Sequence, residues 1–594
     1  MSWFITLIPK NSQLEEQEVT KYSARLQKVI PADYRLKIVT PHILLYGGGL
    51  PETFHFKNSE PSGPVQGWLT CGIGIKLIED SPSFVHEGDW DALIRAKLTK
   101  GEARNIDGHF VVAIWKPRYF EILTDSLGLR SAYVATTDHY ILVSTRLDFI
   151  TPFLESPELS LESLASGWTL INSFADDSFI RNVQRVGPSG RVLIENGMVK
   201  SNWEHWTPNA KSRLSVIPAL RNLTLLPLRD GKRLTLGLSG GVDSRTLLAF
   251  MTNEDKSQWQ VHSVGDTSNA DIPVAKEIAQ RLRAHHQVLL HDFAPETKVD
   301  VLADSLRQYS LQSEMSDSPF GFPRLALFSD MRMSGYWMID GGYGELLRRS
   351  YGNKLVVAAH RALKTQDIRP LLRHLHMPKS RIFTEEVWRS LLKHTELQLE
   401  SAVRAMPKDV GEENIGNWID LFHIRYRLKN YAGASQGLYD YYIPNYMPFA
   451  LSTMISAYFS IPSSERANNR INRKIIASSG RILRTVPLIA SGAPVPYWTS
   501  RSTLASRALG KLRRAVGTTP QERGESFRVK VMLYLRDFLL DRISSSGVKQ
   551  FPYYDHHFIL AHLNAFLSSP NESDAEIVED WLSFDFWREN LSKS

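Results

Sequence analysis

The chain carries a single cysteine, Cys71, in 594 residues. One thiol cannot close an internal disulfide, and it excludes a zinc site built on several cysteines. A lone thiol in a chain this long fits a reducing compartment. Long apolar runs are also missing, and nothing approaches the ~20 residues of a membrane-spanning helix. Met1 to Val19 holds a short apolar patch with no basic segment ahead of it, unlike a signal peptide. The expected location is the cytoplasm, away from membranes. Charge of one sign is scarce as well. The formal net charge is +7, which helps attract an anionic small molecule but is too dilute to indicate nucleic acid. Arg507, Lys511, Arg513 and Arg514 share helical spacing with Leu509 and Leu512 and read as a solvated amphipathic face.

What is present is the composition of an ordinary soluble globular protein, 43% hydrophobic and 22% charged. The length exceeds what one core supports, so at least two domains are expected. The most informative stretch runs from Leu234 to Phe250. Leu234, Leu236 and Leu238 supply a buried strand, Ser239-Gly240-Gly241 a turn, and Thr246 to Phe250 a helix. Successive N–H groups at a glycine turn, backed by a helix N-terminus, form an anion pocket suited to phosphate. Asp243 places a carboxylate beside it, where Mg²⁺ can bridge to phosphate oxygens. No Gly-Lys-Ser/Thr follows, so this is not a P-loop.

Ser239-Gly240-Gly241-Val242-Asp243-Ser244 resembles the pyrophosphate loop of the N-type ATP pyrophosphatases, which split ATP to AMP and pyrophosphate to activate a carboxylate. The pattern around it agrees. Trp259–Gly265 reads as a second strand. Asp271–Leu282 reads as a helix, with Asp271 able to cap it, Pro273 in its first turn and Val274, Ile278 and Leu282 on one face. His286–Leu290 is a third strand and Trp337–Ile339 a fourth. This alternation predicts a parallel sheet with the loop at a strand's carboxyl end. The resemblance implies adenine held by main chain near Leu238 and Val264. After the fourth strand, Asp340-Gly341-Gly342-Tyr343-Gly344-Glu345-Leu346 is a second glycine turn with carboxylates, again suited to phosphate and Mg²⁺. It resembles the second metal-binding segment of asparagine synthetases, with Gly344 where their Asp stands. The second metal carboxylate is therefore Asp340 or Glu345.

Residues 1–205 are read as a separate domain, a sandwich of short strands with a few helices. Ile5–Ile8, Val111–Trp115, Phe120–Leu123 and Tyr140–Val143 are strands, and Leu161–Trp168 is a helix. Gly47-Gly48-Gly49, Pro61–Pro64 and Gly187–Gly190 are turns. Gly108–Ile114 and Thr124–Tyr133 resemble the centre of the glutamine amidotransferase (Ntn-hydrolase) domain of asparagine synthetases. That family places a nucleophilic Cys directly after Met, whereas this chain has Ser2. The domain is expected to be a degenerate glutaminase that releases no ammonia. A Ser2 nucleophile is the less favoured reading.

Residues 206–594 are expected to form the ATP-pyrophosphatase synthetase domain with a helical extension, giving an α/β plus α+β chain. Beyond residue 415 the sequence turns helical and aromatic. Asp440 falls where the related β-lactam-forming enzymes carry a general base. Tyr343, Tyr439 or Tyr441 is its expected phenol partner. Asn445 and Tyr446 replace residues of the aspartate pocket. The transition-state lysine of the family has no clean match, leaving Lys474 or Lys429. Trp581, Phe584, Phe586 and Trp587 read as a docking stripe, and Val516–Gly524 as a linker or surface loop.

Taken together the chain resembles the lasso-peptide cyclases, asparagine-synthetase-like enzymes. The resemblance implies ATP and Mg²⁺ as cofactors and a ribosomal precursor peptide as substrate. It also implies a leader-peptidase partner and macrolactam formation, in which an Asp or Glu side chain is adenylated for attack by the peptide's N-terminal amine. Rival readings are an ammonia-dependent asparagine synthetase, a β-lactam-type synthetase and a non-catalytic scaffold.

Overall fold

Two antiparallel sheets lie face to face in the first third of the chain, and a parallel sheet flanked by helices follows. A computed structural model describes every residue except 1, 11–12, 59–66, 79–80, 97–105, 171, 209–214, 266–268, 295, 349–354, 366, 463, 516–525 and 593–594. The turn expected at Pro61–Pro64 and the linker expected at Val516–Gly524 lie outside the described residues.

The first sheet runs, edge to edge, Val183–Arg185, Tyr133–Thr136, Tyr140–Ser144, Trp3–Pro9, Ile43–Gly48 and Leu36–Thr40. The second has the long strands Gly67–Ile78 and Ile106–Lys116 at its centre, flanked by Tyr119–Thr124 and Phe54–Asn58. Trp3–Pro9 is buried along its whole length, because successive side chains alternate between two cores. Phe4 and Ile8 meet Val111, Ala113 and Trp115 between the sheets. Trp3, Ile5 and Leu7 face the other way, into a core shared with the last long helix, Glu572–Arg588. Trp581, Phe584, Phe586 and Trp587 of that helix are buried there. The expected docking stripe therefore docks within its own chain, and the two ends of the sequence close one core. Each such side chain contributes about 1.5–3 kcal/mol by burial.

One expected turn is corrected. Gly47 and Gly48 continue the strand Ile43–Gly48 opposite Phe4 and Trp3. A Cβ on Gly47 would lie 2.7 Å from the Phe54 ring, and one on Gly48 3.0 Å from the Trp3 indole. The glycines make room for rings. Gly187–Gly190 is a turn as expected, with Ser189 at φ 46° and its ends tied to Thr124 Oγ1.

The parallel sheet runs His286–Leu290, Trp259–Gly265, Arg233–Gly237, Tyr336–Ile339 and Asn445–Tyr446. The chain order reverses between Arg233–Gly237 and Tyr336–Ile339. In open parallel sheets ligands bind in the crevice at such a switch point, beyond the strand carboxyl ends. Both glycine-rich turns follow these two strands, so the topology alone brings them together. Among the described residues, no helix is long and apolar enough to cross a membrane.

Candidate active site

Leu234, Leu236 and Leu238 are buried, which fixes the central strand and delivers the chain to the turn at its carboxyl end. The helix Val242–Met251 starts immediately after Gly241, with Asp243 in its first turn. Three loop amides point at oxygen atoms. Ser239 N–H donates to Ser244 Oγ (3.2 Å), Gly240 N–H to Asp271 Oδ1 (2.7 Å) and Gly241 N–H to Ser239 Oγ (3.1 Å). A carboxylate oxygen on the Gly240 amide occupies the position a phosphate oxygen would take at an anion-binding turn. Asp271 was expected to cap its own helix. It is instead the first helical residue, with Asn269 Oδ1 accepting its N–H (2.9 Å), and its side chain is spent on the loop.

The second turn closes on the first. A Cβ at Gly341 would lie 2.6 Å from the Ser244 nitrogen, and one at Gly344 2.5 Å from Asp243 Cβ. Only glycine permits that approach. Between them Tyr343 takes φ 67°, a left-handed conformation rare for a bulky residue. Its hydroxyl donates to the His423 carbonyl (2.8 Å), and its ring lies 4.9 Å from the His423 ring. Gly342 N–H donates to Asp340 Oδ1 (2.6 Å). Burial pushes the Asp340 carboxyl up to about 6, partly offset by that N–H. A carboxylate held this way is ready for a cation.

Of the two carboxylates left open by the sequence, Asp340 stands nearer the loop and Glu345 already has basic side chains beside it. Glu345 Oε1 lies 3.4 Å from His423 Nε2 and 4.0 Å from Arg427 Nε, so an imidazole and a guanidinium already attend it. Asp340 Cβ lies 3.5 Å from where a Cβ on Gly237, just before the loop, would stand. Among the described residues no three His, Cys, Asp or Glu side chains converge. Mg²⁺ at this site would rest on Asp243, Asp340 and oxygens of the nucleotide itself. The glycine cradle, the acid-loaded Gly240 amide and the half-buried Asp340 fit such a group.

Asp440 is corrected as a base paired with a phenol. It is fully buried and faces the N-terminal half, where His109 Nε2 lies 3.1 Å from both its oxygens and Arg130 donates to Oδ2. Asn445 Nδ2 donates to Oδ1 (2.9 Å). The three expected partners are engaged elsewhere. Tyr343 meets His423, Tyr439 accepts from Arg324 (2.8 Å), and Tyr441 accepts from Arg146 (3.4 Å). Asp440 is thus half of a buried ion pair between the two halves of the chain.

Neither expected lysine reaches the loop. Lys474 is exposed on the helix Arg470–Ser478, whose opposite face, with Asn472, Ile475 and Ile476, packs inward. Asn472 Nδ2 donates to Thr246 Oγ1 of the loop helix (3.1 Å). Lys429 is buried and pairs with Asp176 (2.8 Å), and burial lowers its ammonium below the usual range. Leu238 N–H donates to the His262 carbonyl (2.8 Å), and its carbonyl accepts from Ser263 Oγ (2.7 Å). Val264 is half-buried at the neighbouring strand end, opposite Leu289.

Sequence reasoning missed three contributors. His423 and Arg427 flank Glu345, and Arg427 belongs to a π-helical stretch, Ile424–Ala432. Such stretches occur often at functional sites, but no sequence pattern announces them. Arg245, directly after the loop motif, is buried and donates to the carbonyls of Leu483 (3.0 Å), Val486 (2.8 Å) and Pro487 (2.7 Å). It fixes the hairpin Leu488–Ala490/Ala493–Val495, whose Ile489 N–H donates to the Gly240 carbonyl (3.0 Å).

In the N-terminal half Ser2 is buried, with its hydroxyl bonded to Thr53 and its carbonyl accepting from Arg130. A Cβ on Gly49 would lie 2.6 Å from Ser2 Cα. Cys71 is also buried, which pushes its thiol up to about 12, so no thiolate is available there.

Comparison with known proteins agrees with the loop. No curated protein matches the chain. One solved structure similar to it is titled as the allosteric regulatory enzyme of purine biosynthesis. It shares 10% identity at a TM-score of 0.20, covering 50% of this chain and 81% of that one. Residues 220–401 match the family model described as asparagine synthase. That span, which holds both glycine turns, is similar to an asparagine synthase domain.

Proposed function

We propose that this chain closes a peptide macrolactam in lasso-peptide biosynthesis, activating an Asp or Glu side chain of a precursor peptide with ATP. The carboxylate attacks the α-phosphate, pyrophosphate leaves, and the peptide's N-terminal amine displaces AMP from the acyl-adenylate. One amide bond forms, and the amine proton must be taken up as it does. The loop amides of Ser239, Gly240 and Gly241 are the donors for the leaving pyrophosphate, replacing Asp271 and the serine hydroxyls as partners. Mg²⁺, when bound by Asp243 and Asp340, would neutralise charge on the phosphates. Placing both ends of the peptide together supplies much of the rate advantage of an intramolecular reaction.

The observation that carries the reading lies in the wall of the site. Asn445 and Tyr446, which stand where the resembled asparagine synthetases have residues of the aspartate pocket, and Asp440, at the β-lactam enzymes' base position, are all spent on internal bonds. Asn445 donates to Asp440 and to the Gln436 (3.2 Å) and Ile443 (3.2 Å) carbonyls, and Tyr446 donates to the Leu223 carbonyl (2.6 Å). The buried Ser2 supports an amine that comes from the substrate and not from glutamine. On this reading the enzyme works in the cytoplasm beside a partner that removes the precursor's leader.

ATP–pyrophosphate exchange tests the proposal, with three acyl substrates offered in turn. They are a synthetic lasso-type core peptide with an internal Asp or Glu, free aspartate, and a β-amino acid. Exchange with the peptide and ring closure by mass spectrometry are expected. Exchange with free aspartate and ammonia would return the chain to the asparagine synthetases, and exchange with the β-amino acid to the β-lactam-type enzymes. No exchange with any of them would leave a scaffold.

A further inference from the structure

A second recess lies beside the loop helix, walled by the helix Arg470–Ser478, the turns Ile482–Thr485 and Tyr497–Arg501, and the helix Thr503–Ala515. Its volume is about 620 Å³, within the roughly 300–1,000 Å³ of small-molecule sites. Four guanidinium groups line it, from Arg473, Arg484, Arg501 and Arg513, together with Tyr497 and Trp498. Among the described residues, no carboxylate lines it, and neither does any residue of Ser239–Ser244.

Among the described residues, three of the four charges have no acidic partner: none of Arg473, Arg484 and Arg501 forms an ion pair. Arg484 Nε donates only to the Gly480 carbonyl (3.2 Å), and Arg513 Nη1 donates to the Pro494 carbonyl (2.7 Å). Beneath them the buried Arg245 adds a fifth guanidinium, 6.0 Å from the Tyr497 ring. Tyr497 therefore sits in the combined field of Arg245, Arg473 and Arg484. Like charges gathered in one concavity repel, and the field is strongest where walls exclude water. The arrangement gains most when an oxyanion enters, because guanidinium forks match phosphate and carboxylate oxygens two at a time. The Trp498 ring, 64% exposed at this wall, offers a flat apolar face alongside.

We infer that this recess is a second anion site, separate from the glycine loop, for a small molecule carrying two or more phosphate or carboxylate groups. Tripolyphosphate and citrate serve as probes for the two sources. Each is titrated calorimetrically into the full chain and into Arg484→Gln/Arg501→Gln. Both arginines are exposed, so the variant should keep its melting temperature, and Arg484→Lys/Arg501→Lys controls for charge alone. The expected result is saturable binding of at least one probe, weakened roughly tenfold or more in the glutamine variant. ATP–pyrophosphate exchange should be unchanged. Phosphate chemistry is assigned if tripolyphosphate loses one of two equivalents, and carboxylate chemistry if citrate loses its only one. Failure of both probes to bind, or equal binding by wild type and variant, would overturn the inference. So would loss of exchange in proportion to loss of binding, which would make the recess part of the ATP site.

Discussion

Asp340 has the sharpest expected consequence of any single side chain. Its carboxyl stands at about 6 in the folded chain, against about 3.9 for an unfolded aspartate. The native state therefore holds more protons between those values, and stability falls as pH rises through them. Above pH 6 the ionised, desolvated carboxylate costs about 3 kcal/mol, a cost that cation binding relieves. Asp340→Asn should raise the melting temperature at pH 7.5, and the gain should disappear below pH 4. The same variant should lose most ATP–pyrophosphate exchange. A melting temperature that is lower at both pH values would mean that Asp340 is a structural acceptor for Gly342 alone.

At the scale of elements, the site is two strand ends and the turns that follow them. Gly341 is where they touch, and a Cβ there would meet backbone, the Ser244 nitrogen, at 2.6 Å. A backbone neighbour cannot rotate away, so Gly341→Ala should cost about 1–3 kcal/mol as overpacking. It should also part the two turns, cutting exchange at least tenfold, whereas Gly480→Ala tests only a left-handed φ in open space. Equal activity in both variants would separate the turns functionally. These elements were legible in the sequence because local pattern specifies them. Trp259–Gly265, Asp271–Leu282 and His286–Leu290 form with the expected bounds. Side-chain partners across the fold were not legible. Nothing near Asp271 announces a bond to Gly240, and nothing near Glu345 announces His423, since each pair meets only through sheet and helix packing.

At the scale of the whole molecule, polar latches join the halves. Asp107 accepts the Ser452 (2.8 Å) and Thr453 (2.7 Å) N–H groups at the start of the helix Ser452–Phe459, and Asp440 holds Arg130 and His109. Removing one partner of a buried ion pair strands the other, at about 3–5 kcal/mol. Asp440→Ala should lower or split the calorimetric unfolding transition, and Asp440→Asn should do so less. An unchanged transition would contradict the latching role and return Asp440 to the chemistry. Sequence position misled here because the local context Tyr439-Asp440-Tyr441 suggests a phenol pair, while the partners lie more than three hundred residues away in the chain.

The central claim is that Ser239–Ser244 splits ATP at the α-phosphate to activate a carboxylate. Peptide substrate with heavy oxygen in its side-chain carboxylate tests it in one turnover, read by mass spectrometry of the nucleotide. One labelled oxygen should appear in AMP, with unlabelled pyrophosphate and a closed ring. Label in inorganic phosphate, with ADP as the nucleotide product, would contradict it.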